Sequence, residues 1–369
     1  MRKIFLILFV FLLLIPQQGF AMDLSAQSAI LVEAETGRVI YSKNCRNKMG
    51  MASTTKIMTA LVALDKYTPG ELATVSDKAS RTEGSSVYLK SGEKMTVENL
   101  LYGLMLASGN DASVVIAEHL AGNEYTFVEY MNNKAISLGL NDTHFENPNG
   151  LPCDRHYTTA YDLAMITREA MKNKTFREIV STKNKVLKSS SGENDRYIKN
   201  HNKLLWQYEG CVGVKTGFTK KDGRCLVSAA YKNGITLIAV TLKAPDDWND
   251  HKKLFDYGFD RLSVKKVITG GKKAGNVVVN NGIFKSSECI YAEDFIISVE
   301  ENDITEIKVF LPKSIDAPVK NGDTAGYARV LINGKTAGEV EIIVNTDVDL
   351  TDETRLIRQF INLLIRLIR

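Results

Sequence analysis

The hydrophobic period of this chain changes once, near residue 262, and that change limits the folds open to it. Upstream, apolar residues recur at helical spacing between short β-type runs. Ile57, Met58, Leu61 and Leu64 follow one another at helical steps, as on one buried helix face. Residues 97–121 form a second apolar helical stretch, interrupted at Ser108-Gly-Asn-Asp111, and 124–139, 158–174 and 250–262 read as further helices. Residues 28–43 read as two strands about a Thr36-Gly37 turn, and 211–216, 225–231 and 235–242 as three more. Asn233-Gly234 joins the last two in a hairpin. Early and late strands sharing one sheet make this an α+β unit. Downstream, alternation in Glu306–Phe310 and Glu339–Ile343 is punctuated by Gly270-Gly271, Asn281-Gly282, Asn321-Gly322 and Asn333-Gly334. That is the pattern of a small all-β module. No fixed-period repeat runs through either part, and 369 residues suffice for two cores.

Charge is informative by its place. There are 47 Lys and Arg against 43 Asp and Glu. The excess sits at the ends, in Arg2 and Lys3 and in Arg355, Arg358, Arg366 and Arg369 beside Asp352 and Glu353. The body between is neutral, which excludes a basic nucleic-acid-binding surface of the usual kind. Residues 1–21 combine a basic start, an apolar run from Ile4 to Ile15 and a Gly19-x-Ala21 exit. They read as a secretory signal peptide, with an uncleaved anchor as the alternative. The tail places Arg355, Arg358, Gln359, Asn362, Arg366 and Arg369 on one narrow helical face, with Leu, Ile and Phe filling the rest. A charged stripe through the middle suits a helix lying in a membrane interface and not one that spans it. Packing of the tail on its own body is the other reading.

The five cysteines (45, 153, 211, 225, 289) form an odd set with no zinc-like spacing. Export permits disulfides, yet the count gives no framework, so most are read as free and structural. The histidines at 119, 144, 156, 201 and 251 show no metal-type pairing. No metal and no cofactor is expected.

Three short motifs carry the chemistry. Ser53-Thr-Thr-Lys56 stands where a helix begins, and a spacing of three puts both side chains on one face. A serine there has helix N–H groups for an oxyanion and a lysine for its proton, provided burial or another cation keeps that lysine neutral. Ser108-Gly-Asn110 interrupts a helical region, and Lys215-Thr-Gly217 lies on a late strand. Singly they mean little: Ser91–Lys94, Ser263–Lys266 and Ser42-Lys-Asn44 repeat the first two forms. In this order they are the parts of a serine acyl-transfer site at a junction of sheet and helices.

The stretches Met51–Thr59, Leu106–Ser113, Phe145–Leu151 and Gly213–Thr219 together resemble the low-molecular-mass penicillin-binding proteins, the D-alanyl-D-alanine carboxypeptidases. The resemblance implies a penicillin-binding or β-lactamase-like domain, an antiparallel sheet flanked by helices with a helical subdomain, followed by a small all-β domain and an amphipathic C-terminal helix. The expected division is signal peptide 1–21, catalytic domain 22–261, all-β domain 262–349 and membrane-anchor helix 350–369. It further implies Ser53 as acylated nucleophile, Lys56 as its proton acceptor and Ser108 as proton shuttle between Lys215 and the leaving amine. Asn110 would hold the substrate amide. Lys215 with Thr216 would bind the terminal carboxylate of a stem peptide ending in D-Ala-D-Ala, beside Gly217. Ser53 and Phe218 would give the oxyanion N–H groups, and β-lactams would act as inhibitors. The expected location is the outer face of the cytoplasmic membrane, held through residues 352–369.

Two departures stand out. Some members carry His where this chain has Phe218, and some carry an arginine downstream that grips the carboxylate, whereas residues 225–260 contain none. Asp246–His251 resembles sporulation-associated members of Gram-positive bacteria. His156 and Asp162 are read as structural. The rival readings are a D,D-endopeptidase of peptidoglycan cross-links, a class A β-lactamase, which usually has Ser-Asp-Asn in the middle motif, and a silent wall-binding protein.

Overall fold

The computed structural model describes residues 22–188 and 195–368. The signal-peptide expectation for 1–21 and the last residue of the tail, Arg369, fall outside that set.

The early and late strands do share one sheet. β1 (Ser28–Glu33) and β2 (Val39–Lys43) form a hairpin, and β3 (Cys211–Thr219), β4 (Gly223–Lys232) and β5 (Ile235–Leu242) follow some 170 residues later. The order is β2-β1-β5-β4-β3, antiparallel throughout. Alternation decides what each face buries. Ile30 and Val32 point into the core beneath the helices, Ala29 and Leu31 into a second cluster with Leu237, Leu254 and Phe255. At the β4–β5 turn Asn233 and Gly234 both have positive φ, +51° and +82°, as the Asn-Gly pair leads one to expect.

The helices start where their caps are. α1 is Lys56–Leu64, α2 Val97–Leu106, α3 Asn110–Ala121, α4 Glu124–Ser137, α5 Ala160–Lys172, α6 Lys174–Ser181 and α7 Asp247–Arg261. Thr96, Asn123 and Thr159 cap α2, α4 and α5 by accepting a backbone N–H with the side-chain oxygen. The motif at 108–110 splits one apolar stretch into α2 and α3, with Ser108 at φ +65°. α7 lies on the outer face of the sheet, and the Asp250 carboxylate ties it to the chain start by accepting from Ser25 and Ala26.

The module that follows is all β. β6 (Leu262–Ile268) pairs with β9 (Phe295–Glu300). β7 (Lys273–Asn280), β8 (Ser286–Tyr291), β10 (Thr305–Phe310), β11 (Ser314–Asp316), β12 (Thr324–Ile332) and β13 (Lys335–Val344) form a sheet ordered β10-β12-β13-β8-β7-β11. Val277, Val279, Val330, Val340 and Ile342 fill its core. Charge joins it to the catalytic body. Arg38, beyond the tip of the β1–β2 turn, pairs with Asp303 and lies 3.6 Å from Glu300, which also faces Arg261 at 3.5 Å. A last helix, α8 (Asp352–Ile368), leaves Leu356, Ile357, Phe360, Ile361, Leu364 and Ile365 exposed. No helix among the described residues is long and apolar enough to cross a membrane. All five cysteines are free thiols.

Candidate active site

The sequence reading began a helix at Ser53. The structure instead puts Ser53 in a 3-10 turn, Ala52–Thr55, with the α-helix starting at Lys56. The cause is local: Thr54 and Thr55 turn their hydroxyls back onto the carbonyls of Met51 and Ala52, at 2.6 and 2.8 Å. Those bonds tighten the first turn. Two glycines let other chain segments reach it. A Cβ on Gly150 would stand 2.0 Å from the Ala52 carbonyl oxygen, and one on Gly217 only 3.1 Å from the Ser53 nitrogen. A side chain cannot fit at Gly150, and at Gly217 it would press on the Ser53 and Thr54 backbone.

The eight residues expected at the site come together. Ser53, Ser108, Thr216, Gly217 and Phe218 line a cleft of about 330 Å³ between β3 and the helices. Lys56, Asn110 and Lys215 are buried. The Lys56 side-chain nitrogen is the hub. Its Nζ lies 3.1 Å from Ser53 Oγ, 2.7 Å from Asn110 Oδ1 and within bonding distance of the Asn149 carbonyl. Asn110 is held at its other end too, its Nδ2 donating to the Glu83 carbonyl at 2.6 Å. One N–H of that amide group remains for a further acceptor. Lys215 Nζ donates to the Thr216 carbonyl at 2.9 Å. The Phe218 side chain lies at the rim, 65% exposed.

Electrostatics follow from burial. Desolvation holds the Lys56 amine well below its ordinary value, the Lys215 charge lowers it further, and the Asp111 carboxylate opposes. Desolvation pushes Lys215 down to about 7. Two buried lysines thus favour the neutral amine that a proton acceptor beside a serine requires.

Comparison with known proteins fits this geometry. A sequence model described as D-alanyl-D-alanine carboxypeptidase matches residues 16–246, more than half of the chain. The chain belongs to the D-alanyl-D-alanine carboxypeptidase family. A second model, the C-terminal domain of penicillin-binding protein 5, matches 263–350. The D-alanyl-D-alanine carboxypeptidase DacF of Bacillus subtilis is 34% identical over 87% of this chain and 85% of its own length. Its counterpart in Streptomyces sp. strain K15 is 38% identical over 61% of this chain and 84% of its own. Among solved structures, penicillin-binding protein 5 of Haemophilus influenzae superposes with a TM-score of 0.71 at 27% identity, covering 89% of this chain and 99% of that one.

In this family member the cleft also takes residues that the motifs did not announce. Ser85, His201, Lys203, Arg224, Asp247 and Trp248 line it as well. Residues 225–260 hold no arginine, but Arg224 does line the cleft. It precedes that segment by one residue and stands directly across the ladder from Phe218. Asp247 Oδ1 accepts from its Nε and Nη2 at 3.1 and 2.7 Å, and the guanidinium lies 5.5 Å from the Trp248 ring centre. That leaves three of its five N–H donors uncommitted to the aspartate. The Asp247–Trp248 pair belongs to the Asp246–His251 run, so the one local signal for this cluster was an unexplained acidic, aromatic segment.

Asp111, the residue after the middle motif, is equally built in. Its carboxylate accepts from Ser86 Oγ and from the N–H groups of Val87 and Leu89. This fixes the loop whose Glu83 and Ser85 carbonyls hold Asn110. His156 reaches the site by a chain of bonds. Glu146 N–H donates to His156 Nδ1 at 3.0 Å, so Nε2 carries the proton and donates to Thr55 Oγ1 at 2.8 Å. Thr55 in turn holds the Ala52 carbonyl. Burial lowers His156 to about 4, in keeping with that neutral tautomer. Asp162 stays away from the cleft, bonded to Thr143 and to the N–H of Asp142.

Proposed function

We propose that this chain removes the terminal D-alanine from peptidoglycan stem peptides ending in D-Ala-D-Ala, through an acyl-enzyme on Ser53, and that β-lactams inhibit it by acylating the same oxygen. The observation that carries the reading is the 3.1 Å approach of Ser53 Oγ to the amine of a fully buried lysine. Neutral Lys56 takes the hydroxyl proton as Oγ attacks the carbonyl carbon of the penultimate residue. The N–H groups of Ser53 and Phe218 receive the oxyanion. Ser108 passes a proton to the leaving amine, and D-alanine departs. Water then attacks the ester, releasing the shortened peptide and restoring Ser53. Protonated Lys215, with Thr216, binds the terminal carboxylate, and the remaining N–H of Asn110 takes the substrate amide.

Export and anchoring complete the reading. Residues 1–21 direct secretion, 22–261 form the catalytic domain and 262–349 the spacer. The tail of 350–369 lies on the outer face of the cytoplasmic membrane, with the exposed Leu, Ile and Phe side chains of α8 as support.

Ser53→Ala is expected to abolish both release of D-alanine from a pentapeptide and covalent labelling by penicillin. A Ser53→Ala protein that still forms a stable penicilloyl adduct would overturn the assignment.

A further inference from the structure

One edge of the β module is left open. Among the described strands, β10 (Thr305–Phe310) pairs only with β12 and ends the six-stranded sheet on that side. The opposite edge is β11, only three residues long. Sheets guard their edges with short strands, bulges, proline or lysines. β10 runs six residues in unbroken register with no proline, and all but Thr305 are exposed.

The backbone shows which groups are free. Ile304, just before the strand, donates its N–H to Asn333 Oδ1 and accepts the Asn333 N–H, both at 2.9 Å. Backbone groups point to alternate sides along a strand. Those of Ile304, Glu306, Lys308 and Phe310 therefore face β12, and those of Thr305, Ile307 and Val309 face outward. No described backbone bond reaches the outward three. Side chains divide between the two faces of the sheet. Thr305, Ile307 and Val309 stand opposite Ile332, Val330 and Ala328, all members of the module's core. They lie along the rim of that core, where Ile307 and Val309 stay 42% and 40% exposed. The other face carries Ile304, Glu306, Lys308 and Phe310. Glu306 and Lys308 take part in no described ion pair. Across the ladder Lys308 faces another cation, Arg329, whose charge is taken up by Glu339.

From Ile304 to Phe310 the segment runs apolar, β-branched, acidic, Ile307, basic, β-branched, apolar. It is its own complement in reverse. We propose that β10 pairs antiparallel with β10 of a second copy of this chain, about a two-fold axis at Ile307. Ile307 then exchanges both backbone bonds with the partner's Ile307, and Thr305 with the partner's Val309. Glu306 meets the partner's Lys308, Ile304 meets the partner's Phe310, and the two core rims join. Charge selects this register. A slide of two residues sets Glu306 against Glu306 or Lys308 against Lys308, and a slide of one sets outward backbone groups against inward ones. The contact is isologous, so it closes at two chains. No residue lining the catalytic cleft takes part.

The test is sedimentation equilibrium of the exported full chain in a mild detergent. It compares wild type, Glu306→Lys, Lys308→Glu, the double variant with both changes, and Ile307→Pro. Both charged side chains are exposed, and stoichiometric penicillin labelling together with thermal melts checks that each variant is folded. Wild type is expected to form a dimer. Each single reversal sets like charges opposite one another at both symmetric positions and should raise the dissociation constant about tenfold. The double variant restores opposite charges and should return to within about threefold of wild type. Ile307→Pro removes an outward N–H, leaves the bonds to β12 in place and should give monomer. A wild type that is monomeric at every concentration overturns the proposal. So does a dimer of equal strength in all variants, which would lie on another surface such as α8. So does a double variant that pairs no better than the single ones.

Discussion

The proposed mechanism asks opposite protonation states of Lys56 and Lys215, two lysines buried in one cleft. As the proposed proton acceptor Lys56 would be neutral, and as the proposed carboxylate ligand Lys215 would be charged. Burial lowers both, Lys215 to about 7. With a substrate ending in a free carboxylate, kcat/KM is expected to fall as pH rises through about 7, because the free enzyme loses the Lys215 proton there. An amide-terminated analogue makes no use of that charge, so its profile should lack the falling limb. Matching falling limbs for both substrates in a pH series would count against a carboxylate-binding Lys215. Arg224 belongs to the same scale. Asp247 orients it at the cleft, and hydrogen bonds to charged groups are worth about 1.5–3 kcal/mol. Arg224→Ala should raise KM for the free-carboxylate substrate about tenfold or more, with penicillin acylation less affected. An unchanged KM would mean that the guanidinium serves only to hold α7.

Among elements, the 3-10 turn of Ala52–Thr55 matters most, because it is fixed from outside. His156 bridges it to the 145–150 segment, whose Asn149 carbonyl receives Lys56. His156→Leu leaves the Glu146 N–H without its partner, which costs about 1–3 kcal/mol, and removes the bond that holds the Thr55 hydroxyl from outside the turn. Its signature should be a slowed acylation by penicillin with substrate KM nearly unchanged, partly restored in His156→Gln. Stopped-flow labelling beside thermal melts checks this: a lower melting temperature with normal acylation would make His156 a purely structural residue. The sequence made the three motifs, the split at 108–111 and the Asn233-Gly234 turn legible because each is a local signal. The His156 bond, the Asp111 clamp and the Arg224–Asp247–Trp248 cluster were not legible, because each joins residues brought close only by the packed sheet and helices. The helix start at Ser53 was misread for a related reason: helical period cannot distinguish a 3-10 turn drawn tight by two threonine hydroxyls.

For the molecule as a whole, the proposal gives the two ends the address and the middle the chemistry. Six apolar side chains of α8 stand exposed, and each can contribute about 1 kcal/mol or more on entering an interface. Deleting 352–369 from the exported protein should release it in soluble form with pentapeptide activity nearly intact, as read by fractionation and kinetics. A truncated protein that remains membrane-bound would move the anchor to the N-terminus, and one that unfolds would mean that the tail packs on its own body. The junction of Arg38, Asp303, Glu300 and Arg261 has a mechanical sequel. It ties the hairpin turn and the end of α7 to the same corner of the β module. If the tail seats on a membrane as proposed, this junction would set the reach of the cleft above it, and the enzyme would trim only those wall layers lying within that reach.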